Sequence, residues 1–153
     1  FNKRRVRSKP VFIRWVEITN KELLMSLSNT YETHVLNYLF TATSVTRPTS
    51  FFLALFTADP GEASISNECS TSGTAYARQA IAFTVSNNLA TNSGAIEFPV
   101  ATGSGFGTVT HLAVCSASTG DNIIASSALT ASKAIGAGDV FRLPVGDLDI
   151  TLE

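Results

Sequence analysis

A run of six apolar residues, 51–56, constrains the fold of this chain more than any other stretch. It lies between the turn-forming segments 47–50 and 59–61, and it is long enough for a β-strand but too short for a buried helix. Because successive side chains of a strand point to opposite faces, both faces of this strand are apolar. We therefore expect a central strand with a second β-layer over one face and a helix over the other.

Segment 30–41 is predicted to be that helix. Asn29 followed three residues later by Glu32 resembles a capping box, and apolar side chains follow at helical spacing. The β-branched residues and Pro48 that come next end the helix. We expect this helix to cover one face of strand 51–56.

The rest of the chain shows short alternating segments separated by turn residues. The predicted strands are 76–86, 96–100, 108–115, 122–129, 140–145 and 147–152. Pro99 favours an edge position for the second of them. Together with strand 51–56, these segments predict a mainly β fold, an antiparallel β-sandwich of jelly-roll type with about seven or eight strands and one N-terminal helix packed on it.

Charge is sparse and unevenly distributed. Only 15% of the residues are charged, and residues 1–24 hold seven of the eleven Lys and Arg residues but two of the twelve acidic ones. Low charge is typical of proteins that pack beside copies of themselves, so we expect a homo-oligomer. We expect residues 1–24 to be a basic leader that is disordered or lies upstream of a true start at Met25, and residues 25–153 to form one domain.

A basic leader also suggests an arm that binds nucleic acid or an acidic neighbour. The upstream-sequence interpretation is favoured over it, so we do not expect a nucleic-acid partner. No apolar run approaches the roughly 20 residues that a membrane span requires. We therefore predict neither a membrane anchor nor a signal peptide, and synthesis in the cytoplasm.

Residues with catalytic potential are few and scattered. His111 lies in a predicted strand and His34 on the predicted helix, and no serine occupies a nucleophile elbow. Asp147 and Asp149 share one strand face and offer a weak Ca²⁺ site, but a solvated outer face is the preferred interpretation. We predict no enzyme, no metal and no cofactor.

The two cysteines and one glycine-rich segment could have chemical roles, but we interpret them as structural. Cys69 and Cys115 show no metal-ligand spacing; a disulfide between them is the alternative to a buried Cys115 and an incidental Cys69, which we prefer. The glycine-rich segment 103–107 resembles a phosphate loop, but it precedes a strand and not a helix. A flexible turn is the better interpretation.

Candidate interface residues come from the apolar run and from two arginines. Phe51, Leu53 and Leu55 share one face of the predicted strand. Arg78 and Arg142 lie within predicted strands, where we expect them to pair with Glu97, with Asp149 or with acids of a neighbouring subunit.

The long polar loop 61–75 and the glycine-rich turn are candidate contact loops. The residues selected from them are Ser64, Asn67, Ser70, Gly103 and Phe106.

Several segments, in this order, resemble small tailed-phage proteins known as tail fibre or virion structural proteins. They are MSLSN (25–29), FLALFTADPGE (52–62), YARQA (76–80), FPVATG (98–103), GTVTHL (107–112), NIIA (122–125), AIGAGD (134–139) and GDLDI (146–150). The resemblance implies a virion building block without an active site. It implies assembly with its own copies and with other phage tail or capsid proteins.

Two further functions remain open at this point. Capsid decoration differs from a tail role only in where the protein attaches. A carbohydrate-binding module would recognise host surface glycans through the contact loops, with Tyr76 and Phe106 as the aromatic candidates. A hydrolase is the least favoured of the functions considered.

Overall fold

The computed structural model describes residues 13–17, 24–62 and 65–152 and has a mainly β fold with one α-helix. In chain order the elements are β1 (Arg14–Glu17), β2 (Leu24–Leu27), α1 (Asn29–Phe40), β3 (Phe52–Phe56), β4 (Gln79–Ala80), β5 (Phe83–Ser86), β6 (Leu89–Asn92), β7 (Ile96–Glu97), β8 (Gly107–Cys115), β9 (Ile123–Ile135), β10 (Asp139–Leu143) and β11 (Asp149–Thr151). The arrangement is sandwich-like, which confirms the predicted fold class.

The strands form a curled eight-stranded sheet and a second, smaller sheet. The larger sheet has the order β4-β3-β8-β9-β2-β11-β6-β5, and the smaller one has the order β1-β10-β7. Most neighbours are antiparallel, but β1 is parallel to β10 and β2 is parallel to β11. Strand β7 is shorter than predicted and lies at an edge, as Pro99 indicated.

The predicted strand 76–86 is in fact interrupted, and a further strand follows it. Strands β4 and β5 replace the single segment, and β5 forms a hairpin with β6, which was not predicted. Asn87 has a φ of 56° in this hairpin turn. Asparagine tolerates this left-handed conformation, so the residue that ends β5 also forms the turn that leads into β6.

Asn92 was predicted to be a turn residue, but its side chain is buried and joins three segments. Its Nδ2 donates to the carbonyl oxygens of Gly94 and Pro144, both at 2.8 Å, and its Oδ1 accepts from the backbone N–H of Leu148 at 2.9 Å. A buried amide with all these partners satisfied stabilises the packing of β6 against the β10–β11 connection.

Strand β3 is apolar on both faces, as predicted, and both faces are buried. Leu53 and Leu55 belong to the main core. Ala54 and Phe56 form a second cluster with side chains of β8 and β9, and Ile65 packs against it. The loop after β3 folds back over this second face, because the Thr57 N–H donates to the Asn67 carbonyl oxygen at 2.9 Å.

Helix α1 does not cover β3, so this part of the prediction was wrong. It contacts β2 and β9 and has no buried residue. The reason is its attachment: the Ser28 N–H, just before the helix, donates to the Ile124 carbonyl oxygen on β9 at 2.9 Å. Strand β8 separates β9 from β3 in the sheet, so the helix begins two strands away from the apolar run.

Part of the predicted leader is a strand. Residues 14–17 form β1 and pair with β10, whereas most of residues 1–23 lie outside the described residues. The prediction that the natural chain starts at Met25 stays a prediction. Met25 itself is a buried core residue.

Candidate interaction surface

Arg78 is buried, and its guanidinium group hydrogen-bonds to two loops. Its Nε–H and one Nη2–H donate to the two carboxylate oxygens of Glu68, each at 2.8 Å. The other three N–H groups donate to Ala117 O, Asn122 Oδ1 and Gly120 O at 3.0, 2.9 and 2.9 Å. The hydrogen bond to the Glu68 carboxylate raises the pKa of Arg78. All five donors are therefore used within the chain, which leaves none for a neighbouring subunit.

Tyr76 ties the same carboxylate to strand β3. Its hydroxyl donates to Glu68 Oε1 at 2.8 Å and accepts from the Leu55 N–H at 3.0 Å. Its ring stacks on Phe98 and meets Phe106 edge to face. Burial of the hydroxyl is the main reason that the pKa of Tyr76 is raised. Tyr76 and Phe106 are therefore core residues, not exposed contact residues.

The glycine-rich turn is closely packed and not flexible. Gly103 has a φ of 58°, and a Cβ atom there would clash with the Gly73 carbonyl oxygen. A Cβ atom on Gly105 would clash with the Ile135 carbonyl oxygen. Glycine is needed at both positions because the neighbouring backbone is so close that it leaves no space for a side chain.

The polar contact candidates have separate outcomes. Asn67 and Ser70 are exposed, and Asn67 has a φ of 62° with its Nδ2 donating to the Asp59 carbonyl oxygen at 2.9 Å. Ser64 lies outside the described residues. Asn67 and Ser70 thus remain surface candidates, held in a defined loop conformation.

The apolar interface candidates lie mostly inside the chain. Leu53 and Leu55 are completely buried, so a partner could reach them only after unfolding. Phe51 is half-buried, and its ring meets that of Phe83 edge to face with centroids 5.8 Å apart. The prediction that these side chains form a subunit interface was therefore wrong: Leu53 and Leu55 lie in the core, and Phe51 packs against it.

Arg142 lies in a more open environment than Arg78. Its Nη1 is 3.3 Å from Glu17 Oε1, and about 40% of each side chain is exposed. It also lies opposite Glu97 in the β10–β7 ladder. An exposed pair of this kind contributes little to stability.

Both cysteines are buried free thiols. Burial raises the pKa of Cys69 to about 12, with a further contribution from the charge of Glu68. Burial also raises the pKa of Cys115 to about 12, although Arg78 acts in the opposite direction. Thiols with such pKa values stay protonated and unreactive at neutral pH.

The titratable residues do not converge within the described part of the chain. No three His, Cys, Asp or Glu side chains are grouped there as a metal site would need. His111 is half-buried in β8, with its Nδ1 2.9 Å from the hydroxyl of Thr110. Asp147 and Asp149 are both partly exposed. None of the described helices is long and apolar enough to cross a membrane.

A groove of about 510 Å³ lies between α1 and the linker that follows it. We call it the helix groove. Its lining is mainly apolar and includes Tyr31, Tyr38, Leu39, Val45, Pro48 and Leu152, with Arg47 as its charged residue. His34 also faces it, and its ring meets Tyr31 edge to face with centroids 5.1 Å apart.

A second apolar strip runs along another face of the same helix. Leu36 and Phe40 are 58% and 78% exposed, and Glu32 lies one turn before them on the same face. We call these three residues the helix ridge. The sequence contains the signal for it, since Leu36 and Phe40 widen the apolar stripe beyond what one buried face needs.

Exposed apolar side chains grouped on one helix of a β domain are typical of a surface that contacts other macromolecules.

The family can be named as well. A family model described as Podophage GP4 fiber I protein gp80 matches residues 26–151, and the chain belongs to this family. This confirms the resemblance to phage tail fibre proteins. No curated protein matches the chain.

Proposed function

We propose that this protein is a structural subunit of a podophage fibre, which assembles with copies of itself and docks onto other proteins of the virion. The observation that carries the proposal is the family match, which extends over residues 26–151. A fibre family implies a component of the particle, and a fibre is built from repeated contacts between subunits.

The described surface supports this function. Large apolar side chains of α1 are exposed together, and contiguous exposed apolar residues mark contact sites with other macromolecules. The low proportion of charged residues, 15%, is compatible with close packing between subunits.

The direct test is the location of the protein on purified particles. Gold-labelled antibody against the chain should decorate fibres projecting from the tail, and mass spectrometry of the same particles should detect the chain. Label confined to the capsid surface would favour the capsid-decoration alternative. A protein present in the infected lysate but absent from purified particles would contradict a virion role altogether.

A structural role also predicts that the chain has no enzymatic activity. The fibre family supports this expectation. A screen with esterase and glycosidase substrates should show no turnover above that of a buffer control. Turnover that is lost in a His111→Ala variant would contradict the proposal.

Host glycan recognition has less support than assembly. The two aromatic residues that favoured it, Tyr76 and Phe106, are buried and cannot stack on a sugar. A glycan array should therefore give no specific signal, whereas a specific signal lost on substitution of exposed Asn67 or Ser70 would restore this function.

A further inference from the structure

We propose that copies of this chain assemble by seating the helix ridge of one copy in the helix groove of the next. The proposal rests on the proposed function, because it names the surface through which fibre subunits contact each other. The two surfaces lie side by side on α1 and its linker, so every copy offers both.

Helix α1 is weakly supported by the described part of its own chain. The helix has 12 residues, none of them buried, and no side-chain hydrogen bond caps its first turn. Isolated helices of about this length are marginal in water, and tertiary packing normally stabilises them. A helix that is apolar on more than one face is typically buried, so α1 needs a second covering surface.

The ridge and the groove lie on different faces of α1. Leu36 and Phe40 of the ridge are one turn apart on one face, whereas Tyr31 and Tyr38 line the groove from another face. Because the ridge and the groove lie on different faces of one rigid helix, the ridge of a chain cannot enter the groove of that same chain. The groove volume of about 510 Å³ lies in the range of cavities that accept apolar groups of this size, so another copy's ridge can fill it.

The ridge and the groove also carry opposite charges. Between residues 25 and 58 the chain has two charged residues, Glu32 and Arg47. The acid lies on the ridge, and the base lies in the groove lining. A second copy therefore presents an opposite charge to each of them, and such complementarity favours one docking orientation.

The exposed apolar area of the helix is large enough to matter for an interface. Tyr38 and Phe40 are 75% and 78% exposed, and aromatic side chains bury roughly 150–250 Å² each. These two rings alone therefore offer roughly a third to a half of the roughly 800 Å² that each partner contributes to a stable interface. Leu36, Leu39 and the groove lining extend the same surface.

The test uses the full chain and three substitutions to the same acid. Phe40→Glu damages the ridge, and Leu152→Glu, at a 56% exposed groove residue, damages the groove. Val145→Glu is the matched control, because Val145 is 60% exposed and lies outside both surfaces. Circular dichroism establishes that each variant is folded, and sedimentation velocity across a concentration series measures association.

We expect the wild-type chain to associate and the ridge and groove variants to associate at least roughly 30-fold more weakly, as loss of a central interface residue does. The Val145→Glu control should match the wild type. A mixture of the Phe40→Glu and Leu152→Glu variants still contains one intact ridge and one intact groove. It should form a 1:1 complex and nothing larger.

Failure of the interface and failure of the assembly proposal give different results. If the wild type associates and both variants associate equally well, the ridge and groove are not the interface, although assembly stands. If the wild type is a monomer at every concentration, self-assembly fails. If that monomer binds purified particles and Phe40→Glu abolishes the binding, another particle protein occupies the surface and the second-copy proposal is overturned.

Discussion

The loop between β3 and β4 and the helix α1 differ in a way that their compositions would not suggest. The loop is polar, yet its residue Glu68 and its neighbour Arg78 form a bidentate ion pair in which the Arg78 side chain is 3% exposed. The helix is rich in large apolar residues, yet none of its residues is buried.

Whether a side chain of this protein is buried therefore depends on the partners available to it and not on its polarity alone. A guanidinium group can be buried when every donor is matched, as it is in the Glu68–Arg78 pair. An apolar side chain such as Phe40 stays exposed when none of the described strands and loops covers it. The first region therefore belongs to the stability of the single chain, and the second is available for assembly.

The largest effect should come from breaking the buried pair. Replacing Arg78 by Met removes five hydrogen bonds and leaves the Glu68 carboxylate without its cation, so we expect a loss of about 3–5 kcal/mol in the free energy of unfolding. Arg142→Met is the control, because its pair with Glu17 is exposed and should cost less than about 1 kcal/mol. Urea unfolding measures both. Equal losses would show that the loop is not fastened by Arg78.

The packed glycine turn should be the next most sensitive position. Gly103→Ala combines left-handed backbone with a clash against the Gly73 carbonyl oxygen, and we expect it to cost roughly 2–4 kcal/mol. Gly138→Ala is the control, since Gly138 has a φ of 90° but no atom within 4 Å of the added Cβ. It should cost about 1–2 kcal/mol from the backbone alone. Urea unfolding measures both variants. A smaller loss in the free energy of unfolding for Gly103→Ala than for Gly138→Ala would mean that the backbone around Gly103 shifts to accommodate the added Cβ atom.

Alkaline pH should weaken the fold through the buried thiols. Burial raises the pKa of Cys115 from 9.0 to about 12, so its stabilising contribution is complete below pH 9 and is lost as the pH rises towards 12. At pH 10 the loss is about 1.4 kcal/mol per thiol, because the unfolded thiol ionises and the folded one does not. Urea unfolding measures the free energy of unfolding at pH 8 and at pH 10. We expect the decrease between these two pH values to be about 1.4 kcal/mol smaller in Cys115→Ala than in the wild type. A decrease equal to that of the wild type would contradict the raised pKa of Cys115.

Truncation on the helix ridge should have the smallest effect on the single chain. Phe40→Ala removes a side chain that is 78% exposed, so in dilute solution the free energy of unfolding should change by less than about 0.5 kcal/mol. Leu55→Ala, at a completely buried position, should cost about 2–5 kcal/mol in the same assay. A large loss for Phe40→Ala would mean that the ridge packs within its own chain.

Elements with strong hydrophobic periodicity were predictable from the sequence. Strands β8, β9 and β10 and helix α1 coincide with predicted segments, although β9 is longer than expected. Local patterns dominate these elements, because alternation or helical spacing continues over several residues. The short strand β6 has little apolar pattern, and the buried amide of Asn92 that stabilises it has partners far away in sequence.

Long-range pairing accounts for most of what the sequence could not reveal about the candidate surface. Arg78 was predicted to lie within a strand and to pair with Glu97 or Asp149, but it lies just before β4 and pairs with Glu68, which no spacing rule indicates. The helix was located, but its position over β2 and β9 depends on which strands neighbour each other in the sheet. The sequence shows that Leu36 and Phe40 widen the apolar stripe of the helix, but their exposure follows from that topology and is seen in the structure alone.

Hydrogen exchange at low and high protein concentration tests the contrast between the two regions most directly. We predict that the amides of Asn29–Phe40 become more protected as concentration rises, because a second copy covers the helix. The loop amide of Cys69, which donates to the Leu55 carbonyl oxygen at 2.9 Å, should exchange at the same rate at both concentrations. Helix exchange that does not depend on concentration while the protein assembles, or protection that increases in the loop instead, would contradict this account.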